Sequence, residues 1–169
     1  MRRIGIYAGT FDPPHDGHVA FAKASLHEAQ LAEVIFMPEK IPRYKQNVSI
    51  YSERHKQIKS KISDIKGLSL LESPLETFDS ASAIPWLTDL YPEDSFTFLF
   101  GSDIVANMKT WNDIHLMFKN TSLVIGLRDG QEKETIITEL TQLQKMSGVE
   151  FHFDLIKTDY SHLSSSMFR

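Results

Sequence analysis

Short apolar runs that alternate with helix-patterned stretches constrain this chain more than any other feature. Ile4-Gly5-Ile6-Tyr7-Ala8, Glu33-Val34-Ile35-Phe36-Met37, Leu68-Ser69-Leu70-Leu71, Phe96-Thr97-Phe98-Leu99-Phe100, Ser122-Leu123-Val124-Ile125-Gly126 and Val149-Glu150-Phe151-His152-Phe153 each have strand length. Several are apolar on both faces, as strands buried from both sides must be. Between them, helical spacing runs from Gly17 to about Ala29, Arg54 to Ile62, Ala81 to Tyr91, Ile104 to Met108, Trp111 to Phe118 and Glu132 to Met146. Ser52 is placed to cap the second of these. Such alternation predicts an α/β fold, a Rossmann-like doubly wound parallel sheet with helices on both faces. No repeat or composition break divides the 169 residues, so residues 1–169 read as one domain.

Composition narrows the function. The chain has no cysteine, which excludes a disulfide scaffold, a cysteine nucleophile and thiolate metal sites. A net charge of −4 argues against nucleic acid or an anionic membrane as partner. A polyphosphate ligand would need a local positive site against that background. The start, Met1-Arg2-Arg3-Ile4, lacks the apolar stretch of a secretory signal, and no run approaches the ~20 residues of a membrane span, so the expected location is the cytoplasm. His115, His152 and His162 match no metal-ligand spacing, and no protein metal site is expected.

Parallel sheets bind ligands beyond the carboxyl ends of their strands. The first such loop reads Gly9-Thr10-Phe11-Asp12-Pro13-Pro14-His15-Asp16-Gly17-His18. Glycine permits close approach of backbone to phosphate. His15 and His18 fall at a helix start, where free N–H groups and the helix dipole favour anions. Imidazoles there can donate to phosphate oxygens as charge builds during nucleotidyl transfer.

This loop resembles the (T/S)-F-D-P-x-H-x-G-H signature of the HxGH nucleotidyltransferase superfamily, and Pro14-His15 is closest to its nicotinate-nucleotide adenylyltransferase branch. Phe100-Gly101-Ser102-Asp103 with Trp111 resembles that branch's strand-G-(A/S)-D…W segment. Leu163-Ser164-Ser165-Ser166-Met167-Phe168-Arg169 resembles the I-S-S-T-x-I-R motif. The resemblance implies transfer of AMP from ATP to the phosphate of nicotinic acid mononucleotide, in NAD biosynthesis, with release of pyrophosphate and with Mg²⁺ carried by the ATP phosphates. It implies that His15 and His18 are catalytic. Gly9, Thr10, Phe11, Lys45, Gly101, Asp103, Ser164, Ser165 and Arg169 would bind ATP, and Ser80, Ser82 and Trp111 the acceptor. Asp103 can also cap the helix that follows it.

The branch's P-P-H-K stretch is replaced by Pro42-Arg43-Tyr44-Lys45, and its Y-T-x-D segment by Asp79-Ser80-Ala81-Ser82. Family members extend beyond the last motif, whereas this sequence ends on its arginine. Leu163 and Phe168 are expected to dock that segment by apolar contact. Two alternatives stay open: another phosphorylated acceptor such as phosphopantetheine, and a nucleotide-binding module without catalysis. A homo-oligomer also stays open. Arg54, His55, Lys56 and Lys59 read as a solvated basic helix face, and Arg128-Asp129-Gly130 as a turn bordering the nucleotide.

Overall fold

A computed structural model describes residues 1–43 and 45–168. Its strands are β1 (Arg3–Gly9), β2 (Glu33–Pro38), β3 (Leu68–Leu70), β4 (Ser95–Gly101), β5 (Thr121–Gly126) and β6 (Phe153–Ile156). They form one six-stranded sheet in the order β3-β2-β1-β4-β5-β6, with every pairing parallel. The α-helices are α1 (Asp16–Glu28), α2 (Tyr51–Ile62), α3 (Ser80–Leu90), α4 (Ile114–Asn120) and α5 (Lys133–Ser147), and 3-10 turns cover Ser102–Thr110 and Ser165–Phe168. This is the expected doubly wound α/β architecture.

Strand alternation sends successive side chains to opposite faces. In β4, Phe96, Phe98 and Phe100 join one core with Ala83 and Leu87 of α3, Met117 and Phe118 of α4, and Leu140 and Leu143 of α5. Leu99 joins the other core, with Tyr7, Phe36 and Val124, against Phe21 and Ala22 of α1 and Ile58 and Ile62 of α2. Loss of one such buried phenyl ring would cost ~3–5 kcal/mol. Gly5 sits where a Cβ would lie 2.9 Å from Leu31, so only glycine lets the chain after α1 close on β1.

Strand order reverses between β1 and β4, where parallel sheets open a crevice at their carboxyl ends. Gly9 and Gly101 end these two strands, which sets the first loop beside the Gly101–Asp103 segment.

Three local expectations need correction. The last ladder starts at Phe153, paired with Leu123, rather than at Val149. Phe151 leaves the strand pattern because its ring stacks on Phe118 at 4.1 Å and serves as core instead. Helix α2 starts at Tyr51 with Ile50 at its cap and no side-chain cap bond, so Ser52 lies inside the helix. Asp103 likewise lies within the 3-10 turn, whose cap is Gly101. Among the described residues no helix is long and apolar enough to cross a membrane.

Candidate active site

His15 occupies the N-cap of α1. Its Nδ1 accepts the Gly17 N–H at 3.1 Å, while its own backbone N–H donates to His18 Nδ1 at 3.0 Å. The two histidines thus form a reciprocal capping box, in which ring nitrogens do what Ser and Glu oxygens usually do. A ring nitrogen that accepts an N–H carries no proton, so the proton of each neutral imidazole resides on Nε2. Both rings therefore turn a donor away from the helix. The rings stack with centroids 3.7 Å apart. His15 Nε2 is buried and has no hydrogen-bond partner among the described residues. A buried donor of this kind costs free energy until a ligand accepts from it.

Burial lowers the His15 pKa to about 4, with further depression by Arg128 and Lys61 that Asp16 partly opposes. His18 is held well below the ordinary value, first by burial and then by His15, Arg128, Lys45 and Lys61. Both rings are therefore neutral donors at pH 7, inside a local field of three cations. The chain as a whole is acidic, but this point is not.

Glycine is needed at Gly17 because a Cβ there would lie 2.9 Å from His15 Cε1 and Nδ1. Gly9 allows Phe11 to fold back, since a Cβ would stand 3.2 Å from its ring. Phe11 adopts a positive φ of 52° and packs edge-on against Tyr7 and His18, with centroids 5.0 Å away in each case. Thr10 is buried beside it.

From β4, Gly101 leads to the exposed Asp103, whose carboxylate faces Arg128 at 3.8 Å. Arg128 follows β5 and also donates through Nη1 to the Leu163 carbonyl. It lines the cleft with Tyr7, His15, His18 and Gly101. Sequence reasoning placed Arg128 only at the border; its position just past a strand end was the available signal. Ser165 Oγ donates to the Pro13 carbonyl at 3.0 Å, and Phe168 stacks on His15 at 5.4 Å. Ser164 Oγ bonds Ser166 Oγ at 2.9 Å. The segment through Phe168 is therefore docked on the first loop, and Arg169 lies outside the described residues.

Lys45 is exposed, with its charge acting on His18. Trp111 is half-buried, edge-on to Phe100 at 5.5 Å, and packs on the core that holds Phe100, whereas His18 meets Tyr7 and Phe11 of the other core. Asp79 caps α3 by accepting from Ser82 N–H at 3.0 Å; Ser80 is buried and Ser82 exposed. The histidines, Gly9, Phe11, Gly101, Asp103, Ser165 and Phe168 thus gather around one crevice. Ser80, Ser82 and Trp111 lie at the start of α3 and just after the 3-10 turn.

One residue overturns its expectation. Arg54 is 1% exposed, not solvated surface. It lies four residues before Ile58 and eight before Ile62, both buried, so helical spacing had marked its face as inward.

Among the described residues no cluster of three His, Cys, Asp or Glu side chains could hold a metal ion. The polar groups present suit phosphate oxygens instead: neutral N–H donors, hydroxyls and a planar cation.

The profile of the cytidylyltransferase-like family matches residues 6–169. The chain is 36% identical over 143 residues to a probable nicotinate-nucleotide adenylyltransferase of Bacillus licheniformis, covering 80% of this chain and 74% of the relative. It is 34% identical, with the same coverage, to the nicotinate-nucleotide adenylyltransferase of Bacillus subtilis. Plasmodium falciparum nicotinic acid mononucleotide adenylyltransferase, solved in complex with NaAD, superposes with a TM-score of 0.78 at 19% identity, over 99% of this chain and 82% of that one. That likeness concerns the fold.

Proposed function

This chain belongs to the cytidylyltransferase-like family of nucleotidyltransferases, and from that premise we propose that it transfers AMP from ATP to the phosphate of nicotinic acid mononucleotide, a step of NAD biosynthesis in the cytoplasm. The observation that carries this reading is the capped histidine pair, which presents Nε2 donors, one of them buried and unpartnered, inside a cluster of cations.

An acceptor phosphate oxygen attacks the α-phosphorus of ATP. A new P–O bond forms, the bond to the β-phosphate bridging oxygen breaks, and pyrophosphate leaves with that electron pair. The acceptor is already ionised, so no side chain need remove a proton or form a covalent bond. Catalysis rests on position and charge. His15 and His18 donate to phosphate oxygens as negative charge builds. Arg128 and Lys45 add attraction, Gly9, Thr10 and Phe11 shape the phosphate loop, and Gly101 and Asp103 flank the nucleotide. Ser164 supplies a neutral donor, Ser165 anchors the segment to the Pro13 carbonyl, and Arg169 belongs to the same motif. Ser80, Ser82 and Trp111 border the acceptor. Mg²⁺ enters with ATP as part of the substrate, and the described residues form no cage for it.

Arg43 donates to the Phe78 carbonyl where the branch carries its P-P-H-K stretch, and this altered strap on the acceptor side favours one second reading: a different phosphorylated acceptor. Purified protein incubated with ATP and nicotinic acid mononucleotide should release pyrophosphate and form the dinucleotide. Turnover only with another acceptor, such as phosphopantetheine, would establish the second reading. ATP binding without turnover across the panel would leave a binding module.

A further inference from the structure

Arg54 does something that the histidine chemistry does not use. Its Nε donates to the Ser49 carbonyl at 2.9 Å and Nη1 to the Thr10 carbonyl at 2.7 Å. Nη2 donates to the carbonyls of Glu39 at 2.8 Å and Lys40 at 3.2 Å. One guanidinium thus ties the loop after β1, the loop after β2 and the segment before α2. Two further bonds cross-brace the same three segments: Glu39 N–H to the Gly9 carbonyl at 2.9 Å, and Ser49 N–H to Asp12 Oδ2 at 2.9 Å. The Tyr51 ring covers the guanidinium at 5.7 Å.

We propose that Arg54 is a positioning residue for the transfer reaction, holding the ATP-side loop after β1 and the loop after β2 at one fixed separation. This rests on the adenylyl-transfer reading above, in which Thr10 belongs to the phosphate loop and Lys45 to the loop after β2. A leucine continuing the stripe of Ile58 and Ile62 would fill the position without any desolvation cost. The burial of a cation here has a different result. Carbonyl oxygens bonded to Arg54 are oxygens not presented to a polyanion, and a planar fork bridges three segments as a point-charge ammonium does not. Attack on the α-phosphorus requires reacting atoms held to within a fraction of an ångström, and misplacement by about 1 Å costs ~100-fold.

The test is Arg54→Lys, assayed per folded molecule, with ATP affinity measured separately by titration calorimetry. The expected result is kcat lowered ~10- to 100-fold with the ATP Kd within about threefold of the parent, since a lysine holds one loop but not both. A purely structural arginine would lower the unfolding temperature and leave kcat of the folded fraction within about threefold; that result overturns the proposal. Turnover and ATP binding lost in equal proportion also overturn it, because the defect then lies in gripping ATP. If the variant does not fold, hydrogen exchange on the parent chain decides. Glu39 and Ser49 amides protected like those of β1 uphold the brace, and exchange at solvated-loop rates defeats it. A parent chain that makes no product with any acceptor refutes the functional reading instead, and the exchange result stands apart from that.

Discussion

His18 performs two tasks with two nitrogens, and substitution can separate them. Nδ1 accepts the His15 N–H at 3.0 Å and so closes the cap of α1. Nε2 carries the proton offered to phosphate. Asparagine places its Oδ1 near Nδ1 and nothing at Nε2; glutamine places an amide nitrogen near Nε2 and nothing at Nδ1. Loss of the cap bond costs ~1 kcal/mol of stability. Loss of a donor to developing charge costs ~2.7–4 kcal/mol in the transition state, or ~10²–10³ in kcat. His18→Asn should therefore fold almost as stably as the parent, less the ring's packing on His15 at 3.7 Å, and turn over ~10²–10³-fold more slowly. His18→Gln should be the less stable of the two and the more active. Steady-state pyrophosphate release and urea unfolding, measured on both variants, give the comparison. Equal turnover of the two, within about threefold, would refute the division of labour, since ~0.7 kcal/mol is well below the effect of a lost donor.

Three further outcomes follow from the same geometry. His15 stays neutral when folded down to about pH 4 but takes a proton near 6.5 when unfolded, so stability is complete above pH 6.5 and falls as pH drops toward 4, by about 3 kcal/mol. Urea midpoints at pH 7.5 and 4.5 should show it, and His15→Asn, which keeps a capping side chain, should lessen the slope, with His18 supplying the remainder; an unchanged slope would contradict the assignment. Gly17→Ala drives a Cβ to 2.9 Å from His15 and should cost ~1 kcal/mol or more with the lost cap, read as a drop of a few degrees in Tm together with slowed turnover. Removal of residues 163–169 takes away the Ser165 bond to Pro13 and the Phe168 stack on His15, and should lower kcat/KM at least ~10-fold with the far-UV spectrum preserved; a value within about threefold would mean the segment is idle.

By itself the amino-acid sequence determined the sheet and the first loop. Runs such as Phe96 to Phe100 have strand length and apolar residues on both faces, and the helical stretches between them call for parallel connections. Gly9 to His18 declared itself because glycines, prolines and paired histidines were contiguous just after the first strand. Local spacing carries such information. The stripe Arg54, Ile58, Ile62 also has helical spacing, but the basic neighbours His55, Lys56 and Lys59 concealed it.

Tertiary structure alone decided what depends on residues far apart in the chain. The backbone N–H of His15 selects the proton-bearing nitrogen of His18, and burial, helped by Arg128 and Lys61 from separate segments, keeps both rings neutral, with Lys45 adding to the effect on His18. Arg54 meets Thr10 across 44 positions, and Ser165 meets Pro13 across 152. Phe151, in the connection before the last strand, stays out of it because Phe118 of α4 offers its ring a face. Residue type sets which bonds a side chain can make, but burial and the direction of a donor exist only once the sheet has brought its strand ends together.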